Sequence, residues 1–352
     1  MAAPVPAELS ELTASWVTAA LAEGDRLPFA PEVATVRLER VGQSTGFLGQ
    51  LARLHLDYRR GEGPSTVIAK LPTLDPGGRS VGRMLDVWTR ESRFFAEVAP
   101  HCRAKVPDCL YNGAEPEAGR WTLLLEDCGP GQEADQLVGA TDAQAAEAVA
   151  ALARLQAPFW GEPLPFRWMP GFHRPGFEML QAAMQSALPR FISAYGDRVT
   201  PRTLAWLTTF VDQLPRWAAE HEDGPLTLVH ADYRLDNLLY GADGTVTIID
   251  WQTALWGPGP MDLASFLATS LTVDRRRHLE SALLSEYAVA VGAAAAHVEQ
   301  VYRSCLLWWM AIFANNLSRL DPSDERSAAL FDRMITGTFG AADDWDAGDL
   351  LI

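Results

Sequence analysis

A chain of 352 residues and 38.5 kDa is long enough for two packed lobes. Its 48% hydrophobic and 21% charged residues are an ordinary globular balance, which excludes a largely disordered protein. With 45 acidic against 29 basic side chains the net charge is −16, a field that repels nucleic-acid backbones and anionic lipid and leaves room only for an anion held in one locally basic cleft.

Taken in chain order, Leu9, Leu12, Trp16, Ala20 and Leu21 recur at helical spacing and predict one amphipathic helix over 7–22. The texture then changes to short alternating runs. Strands are predicted over 36–41, 51–58 and 65–71, the last two joined by the turn-rich 59–64. Helical spacing returns over 81–98, and two further strands fit 106–112 and 121–126. The first 127 residues therefore read as a small antiparallel sheet with one helix between its third and fourth strands. Glycines at 129 and 131 mark a hinge. Beyond it, helices are predicted over 143–159 with Asp142 as N-cap, 177–194, 201–220, 260–271, 275–291 and 298–317. They are interrupted by short strand-like runs at 226–229, 238–240 and 245–249. The acidic stretch Asp343-Asp344-Trp345-Asp346 reads as solvated.

Cys102, Cys109, Cys128 and Cys305 form no CxxC pair and lack zinc-finger spacing to histidine, so they suit a reducing compartment rather than a zinc site. Glu8 and Glu11 stand where a secretory leader would be apolar, and the longest strongly apolar run, 306–314, is well short of the roughly 20 residues that span a bilayer. A cytoplasmic location follows as the expectation.

The polar loop between the strand-like runs carries the chemistry. It reads His230-Ala231-Asp232-Tyr233-Arg234-Leu235-Asp236-Asn237, followed by a hairpin and then Asp250 at the end of a hydrophobic strand. Phosphoryl transfer needs one carboxylate to accept or orient the proton of an attacking hydroxyl. It also needs an amide and a second carboxylate to hold Mg²⁺ against the phosphates. The spacing assigns Asp232 as the base, Asn237 and Asp250 as metal ligands, and His230 as a brace. The competing reading is a polar turn whose Asp and Asn cap the backbone.

Lys70 and Lys105 are the only lysines of the chain. Lys70 ends the third predicted strand, where a lysine can reach nucleotide phosphates, and Glu91 on the next helix can pair with it. The alternatives are a lysine snorkelling from an edge strand and a solvated glutamate, with Glu97 on the same helix. Between the first two strands, Gly42-Gln43-Ser44-Thr45-Gly46-Phe47-Leu48-Gly49 offers backbone N–H groups to phosphates, with Gly42, Ser44 and Gly46 as candidates. A flexible hairpin fits the same residues.

With these residues in place, the sequence resembles the aminoglycoside phosphotransferase and choline-kinase-like superfamily over residues 35–320, and most nearly its ecdysteroid-kinase-like branch. The resemblance rests on 42–49, Lys70, Glu91, 123–127, 230–237, Asp250-Trp251 and the Gly257-Pro258-Gly259-Pro260-Met261-Asp262 segment. It implies an α+β, bilobal protein-kinase-like fold, with a nucleotide-binding lobe over 1–127 and a helical lobe over 128–352. ATP would lie in the interlobe cleft, with backbone groups near Glu126 to Cys128 against its adenine. Asp262 becomes a structural acid supporting the catalytic loop, although a purely capping role fits equally. Ala231 stands where the family commonly has glycine, and Gln156 ends a segment that lacks the histidine often found near it.

The aromatic residues concentrate beyond the hinge, at Phe159-Trp160, Phe166, Trp168, Trp206, Trp217 and Trp308-Trp309. They line a pocket for a hydrophobic alcohol or simply fill a core. The expected activity is ATP- and Mg²⁺-dependent transfer to a small-molecule hydroxyl acceptor, with no nucleic-acid or membrane partner. An aminoglycoside or other antibiotic acceptor suits the acidic balance, and a catalytically silent nucleotide or partner binder is the alternative of another class. A protein kinase is disfavoured, since Trp251 replaces the usual Phe-Gly and no long activation loop fits before the helix at Pro260.

Overall fold

Alternating apolar residues decide which face of the N-terminal sheet is buried. The structure, a computed structural model, describes residues 3–27, 31–41, 48–129, 134–171, 174–318 and 324–351. Five strands, β1 (Glu32–Arg40), β2 (Gly49–Arg60), β3 (Thr66–Pro72), β4 (Cys109–Glu115) and β5 (Arg120–Glu126), lie in the order β1-β2-β3-β5-β4, each pair antiparallel. Leu54 and Leu56 of β2 and Val67, Ala69 and Leu71 of β3 point to one side. There α1 (Ala14–Gly24) covers them with Trp16, Val17, Ala20 and Leu21. Each such large apolar side chain contributes roughly 1.5–3 kcal/mol on burial. Because β3 has β2 on one side and β5 on the other, Lys70 sits on an inner strand opposite Leu51 and Leu123, not on an edge.

Two helix expectations in this region are corrected. The helix predicted over 7–22 is a single 3₁₀ turn at Leu9–Glu11 followed by α1, because Thr13 caps α1 by accepting the Trp16 N–H. The one predicted over 81–98 is broken into α2 (Pro76–Met84) and α3 (Val87–Arg93) by Asp86, whose φ of 53° cannot continue a helix.

By its internal contacts the chain divides into two compact units. One comprises Met1–Cys102, Val106–Pro130 and Ile248–Thr253; the other comprises Arg103–Lys105, Gly131–Thr247 and Ala254–Ile352. The expected lobes, 1–127 and 128–352, are continuous, whereas the six residues around Asp250 are counted with the first unit.

The second unit is mainly helical: α4 (Asp142–Gln156), α5 (Arg174–Tyr195), α6 (Pro201–Glu222), α7 (Pro260–Ser270), α8 (Val273–Val291), α9 (Ala295–Leu317) and α10 (Glu325–Asp344). Helix α7 is buried along its whole length and packs against α9 and α10, while α4 packs against α8. Short strands β6 (Leu226–Val229), β7 (Leu238–Tyr240), β8 (Val246–Ile248) and β9 (Leu255–Pro258) form two antiparallel-type pairings around the polar loop, β6 with β9 and the β7–β8 hairpin. Neither β9 nor α10 was foreseen from the sequence; β9 is a four-residue run ending Gly-Pro, which lacks alternation.

Asp142 is not the cap of α4. Thr141 is, its hydroxyl accepting the Gln144 N–H while the Gln144 side chain accepts the Thr141 N–H at 2.9 Å. Asp142 instead opens the helix and accepts from Arg275 Nε at 2.7 Å. Nor is the acidic C-terminal stretch simply solvated. Asp344 accepts from Arg276 and Arg277, and Asp343 and Asp346 accept from Arg202. Trp217, Trp308 and Trp309 are core residues, with Trp217 and Trp308 stacked at 5.1 Å. Among the described residues, no single helix is long and apolar enough to cross a membrane.

Candidate active site

The candidate residues fall into two groups, one in each unit. In the first, the ammonium of Lys70 donates to Glu91 Oε1 at 2.7 Å and to Asp250 Oδ1 at 2.8 Å. Burial opposes the lysine charge, but the carboxylates of Asp250 and Glu91 outweigh it and push its pKa above the ordinary lysine value. Glu91 is 3% exposed at its side chain and Asp250 40%, so one partner is interior and the other faces outward. The choice between Glu91 and Glu97 is thereby decided, for Glu97 pairs with Arg93 on the surface.

Local packing explains how Asp250 reaches the lysine. Its φ of 66° turns the chain sharply after β8, and aspartate tolerates that region better than most residues. Trp251 follows as an anchor. Its ring is fully buried and stacks on Phe94 at 3.8 Å, while its backbone N–H donates to Glu91 Oε1 at 3.2 Å. The same glutamate oxygen thus receives the lysine and the tryptophan backbone. Glu126 ends β5 and exchanges contacts with Asp108, through its own N–H to Asp108 O at 2.8 Å and its Oε2 to the Asp108 N–H at 3.2 Å. Cys128 lies just beyond, half-buried. Gly42, Ser44 and Gly46 lie outside the described residues, as does most of the 129–131 hinge.

In the second unit the loop from His230 to Asn237 is held by its backbone. Asp262, buried at the start of α7, accepts the His230 N–H on Oδ2 at 2.7 Å and the Ala231 N–H on Oδ1 at 2.8 Å. Ser270 Oγ accepts the Leu235 N–H at 2.9 Å, and Gln136 Oε1 accepts the Asp236 N–H at 3.3 Å. Inside the loop His230 Nδ1 takes the Asp232 N–H at 3.2 Å, and the buried Tyr233 hydroxyl donates to Ala148 O at 2.7 Å. The N–H groups of His230, Ala231, Asp232, Leu235 and Asp236 therefore find partners without a regular ladder.

The side chains of the loop converge on Asp232. Asn237 Nδ2 donates to Asp232 O and to Asp232 Oδ2, both at 2.8 Å. Those two acceptors fix the amide and turn its oxygen away from Asp232. Arg234 Nε donates to Asp232 Oδ1 at 3.1 Å.

Asp262 itself is braced by Gln156, whose Nε2 donates to Oδ2 at 3.1 Å and whose Oε1 accepts from the Tyr287 hydroxyl. Burial pushes the Asp262 carboxyl up to about 7, against the lowering effect of these donors. Its helix takes Gly259 as N-cap with no side-chain cap, so the capping role is not the one Asp262 fills. A Cβ at Gly259 would meet the Tyr287 hydroxyl at 2.5 Å and Gln156 Oε1 at 3.0 Å, which explains the glycine. The sequence reading passed over Arg234, Gln136, Ser270 and the bracing by Gln156. For Arg234 a signal was present, a cation two residues from a proposed base; for the others there was none without the fold.

Among the described residues, no cluster of three or more His, Cys, Asp or Glu is arranged to hold a metal ion. The carboxylate of Asp250, in the first unit, and the amide oxygen of Asn237, in the second, are each a hard oxygen donor of the kind that Mg²⁺ takes.

Comparison with known proteins gives the fold a context. No curated protein matched the chain significantly. A candidate aminoglycoside phosphotransferase from Ralstonia eutropha JMP134 is 15% identical, with a TM-score of 0.56 over 95% of this chain and 97% of the other. The GDP complex of a mutant aminoglycoside 2′-phosphotransferase-IIIa is 13% identical, with a TM-score of 0.57 over 90% and 93%. Amicoumacin kinase hAmiN in complex with AMP-PNP, Ca²⁺ and Ami is 13% identical, with a TM-score of 0.50 over 86% and 88%. At these identities the likeness is one of fold, the kinase-like α+β arrangement of an antiparallel sheet and a mainly helical remainder. Residues 54–308 match the model of the phosphotransferase enzyme family, and the chain belongs to that family.

Proposed function

We propose that this protein is an ATP- and Mg²⁺-dependent kinase that transfers the γ-phosphoryl group to a hydroxyl of a small organic acceptor. The observation that carries the reading is the Lys70 ammonium held at once by buried Glu91 and outward-facing Asp250. A structural ion pair needs one partner; a second, exposed carboxylate on the same ammonium suits a cation that exchanges it for phosphate. Lys70 binds the α- and β-phosphates and Glu91 holds it in place. Asn237 and Asp250 would hold Mg²⁺, which when bound neutralises charge on the phosphates. Backbone groups from Glu126 to Cys128 meet the adenine, and Gly42, Ser44 and Gly46 cover the phosphates.

Asp232 orients the acceptor hydroxyl. As its oxygen bonds to the γ-phosphorus, the bond from phosphorus to the β,γ-bridging oxygen breaks, ADP leaves, and the hydroxyl proton passes to the Asp232 carboxylate. Catalysis is positioning plus electrostatics.

For the acceptor we favour a hydrophobic alcohol, which would place the protein in the ecdysteroid-kinase-like branch. Half-buried aromatic side chains in the second unit, among them Trp160, Phe166 and Trp168, support this choice. ATP supply makes the cytoplasm the corresponding location.

The test is mass spectrometry of a pooled hydroxyl library, including sterols, macrolides, aminoglycosides and choline-like alcohols, incubated with Mg-ATP and the protein. A phosphate mass gain on one class, lost by a factor of about 10²–10⁴ in Asp232→Asn, is the expected result. Mg-ATP binding with no gain across the pool would favour a silent binder; absence of ATP binding would overturn the reading.

A further inference from the structure

We propose that Arg234 is a positioning residue that, together with Asn237, sets the direction in which the Asp232 carboxylate meets its acceptor. The proposal rests on the assignment of Asp232 made above. Each oxygen of Asp232 has its own donor from the same short loop: Oδ1 receives Arg234 Nε at 3.1 Å and Oδ2 receives Asn237 Nδ2 at 2.8 Å. A carboxylate gripped on both oxygens cannot turn about its last torsion without breaking one of these bonds.

The guanidinium is itself held. Arg234 Nη1 donates to Asp236 Oδ2 at 2.5 Å, so the cation bridges the carboxylates two residues before and two residues after it. Its donors form a rigid planar fork, so engagement through both Nε and Nη1 fixes the plane as well as the position. Asp236 is in turn tied down, for its N–H donates to Oε1 of the buried Gln136, whose Nε2 donates to Thr269 O at 2.8 Å. The chain of restraint runs from the end of α7 through Gln136 and Asp236 to Arg234, and from there to Asp232.

An ordinary surface ion pair would contribute little and would leave its partners mobile. Two features separate this one. The arginine side chain is only 22% exposed, and it contacts its partners with two different nitrogens. Lysine, with a single nitrogen on a flexible stem, cannot make that pair of contacts with a defined plane.

Proton transfer to Asp232 requires one of its oxygens to face the attacking hydroxyl, and misplacement by an ångström costs on the order of 10²-fold in rate. Arg234→Gln should therefore lower kcat by about 10²-fold while leaving the KM for ATP nearly unchanged, since Arg234 acts through Asp232. Arg234→Lys should fall between the two, and ethylguanidinium added to Arg234→Ala should restore part of the lost kcat. A loss expressed in KM alone, or a variant that turns over as fast as the native protein, would overturn the proposal. So would failure of both lysine and ethylguanidinium to improve on glutamine and alanine.

A second arm needs no acceptor. In crystal structures of the native protein and of Arg234→Gln, the variant's Asp232 carboxylate should rotate away from Asn237 Nδ2. An unchanged carboxylate would overturn positioning by Arg234. If the native protein phosphorylates nothing in the library, the kinase reading fails, and this arm still decides whether Arg234 sets the carboxylate.

Discussion

The two units hold their candidate residues by opposite means. In the first, three charged side chains satisfy one another: Lys70 lies between Glu91 and Asp250. In the second, the loop bearing Asp232 and Asn237 is fixed through its backbone, with Asp262, Ser270 and Gln136 accepting its N–H groups. An ionic cluster makes each member depend on the charge of the others. A side-chain-braced backbone instead keeps its geometry while its exposed groups change partners. The first arrangement suits a cation that must trade a carboxylate for phosphate, and the second suits a carboxylate that must stay aimed.

The sharpest way to break this comparison is to remove the cation. Lys70→Met leaves Glu91, 3% exposed at its side chain, without its counter-charge. Breaking a buried pair in this way costs about 3–5 kcal/mol. Adding Glu91→Gln should restore most of that loss, because no buried charge is then left uncompensated and the amide oxygen can still accept the Trp251 N–H. Urea unfolding of the native protein and both variants measures this. Equal stability of Lys70→Met and native protein would show that the first unit is not held ionically.

The corresponding probe in the second unit is pH. Burial pushes the Asp262 carboxyl from the ordinary aspartate range up to about 7. The folded state then holds a proton that the unfolded state has released. The stabilising contribution is complete below about pH 4 and declines as pH rises through 7, with a slope approaching about 1.4 kcal/mol per pH unit. Asp262→Asn should lack that decline when unfolding is followed from pH 4 to 8. Turnover should run the other way. His230, Ala231 and Gln156 present three donors to this carboxyl and are best satisfied by its ionised form. The native rate should therefore rise through pH 7 as stability falls. Gln156→Leu is the smaller cut in the same support. It leaves the Tyr287 hydroxyl without its acceptor and should cost about 1–3 kcal/mol in thermal or urea unfolding.

What could be read from the sequence was what is local in it. The loop spacing and Asp250 at a strand end lie within about twenty residues of one another, and Lys70 stood out because lysine is nearly absent. The five strands of the first sheet were legible from their alternation. Glu91 was ambiguous against Glu97 until burial separated them, since both lie on one helical stretch. The bracing of Asp262 by Gln156 joins residues 106 positions apart, and no periodicity reports such a contact. Thr141 displaced Asp142 as a cap because the Gln144 side chain completes a reciprocal pair that only threonine's position allows. Trp217 of α6 and Trp308 and Trp309 of α9 fill a core, as large aromatics at helical spacing usually do, so they carry no information about the acceptor.

The smallest expected effect comes from a pair of backbone positions. Each group of candidate residues contains one non-glycine residue in the left-handed region, Asp250 with φ of 66° and Ala231 with φ of 61°. At 250 the side chain is needed, since Asp250 Oδ1 meets Lys70, and replacement by glycine would remove the contact along with the strain. At 231 the side chain is only a methyl group, and the conformation is enforced from outside by Asp262, which takes the Ala231 N–H. Ala231→Gly should therefore relieve the methyl clash without disturbing the loop. Glycine adds freedom to the unfolded chain, which offsets part of the gain, so the net stabilisation should be about 1 kcal/mol or less. Ala231→Val should destabilise by more than that, because a β-branched residue is least tolerant of positive φ. Unfolding midpoints for the two variants test this directly. If glycine gave no gain and valine no loss, the loop would adopt its turn without strain, and Asp262 would be merely a neighbour of the His230–Ala231 backbone instead of the group that holds it.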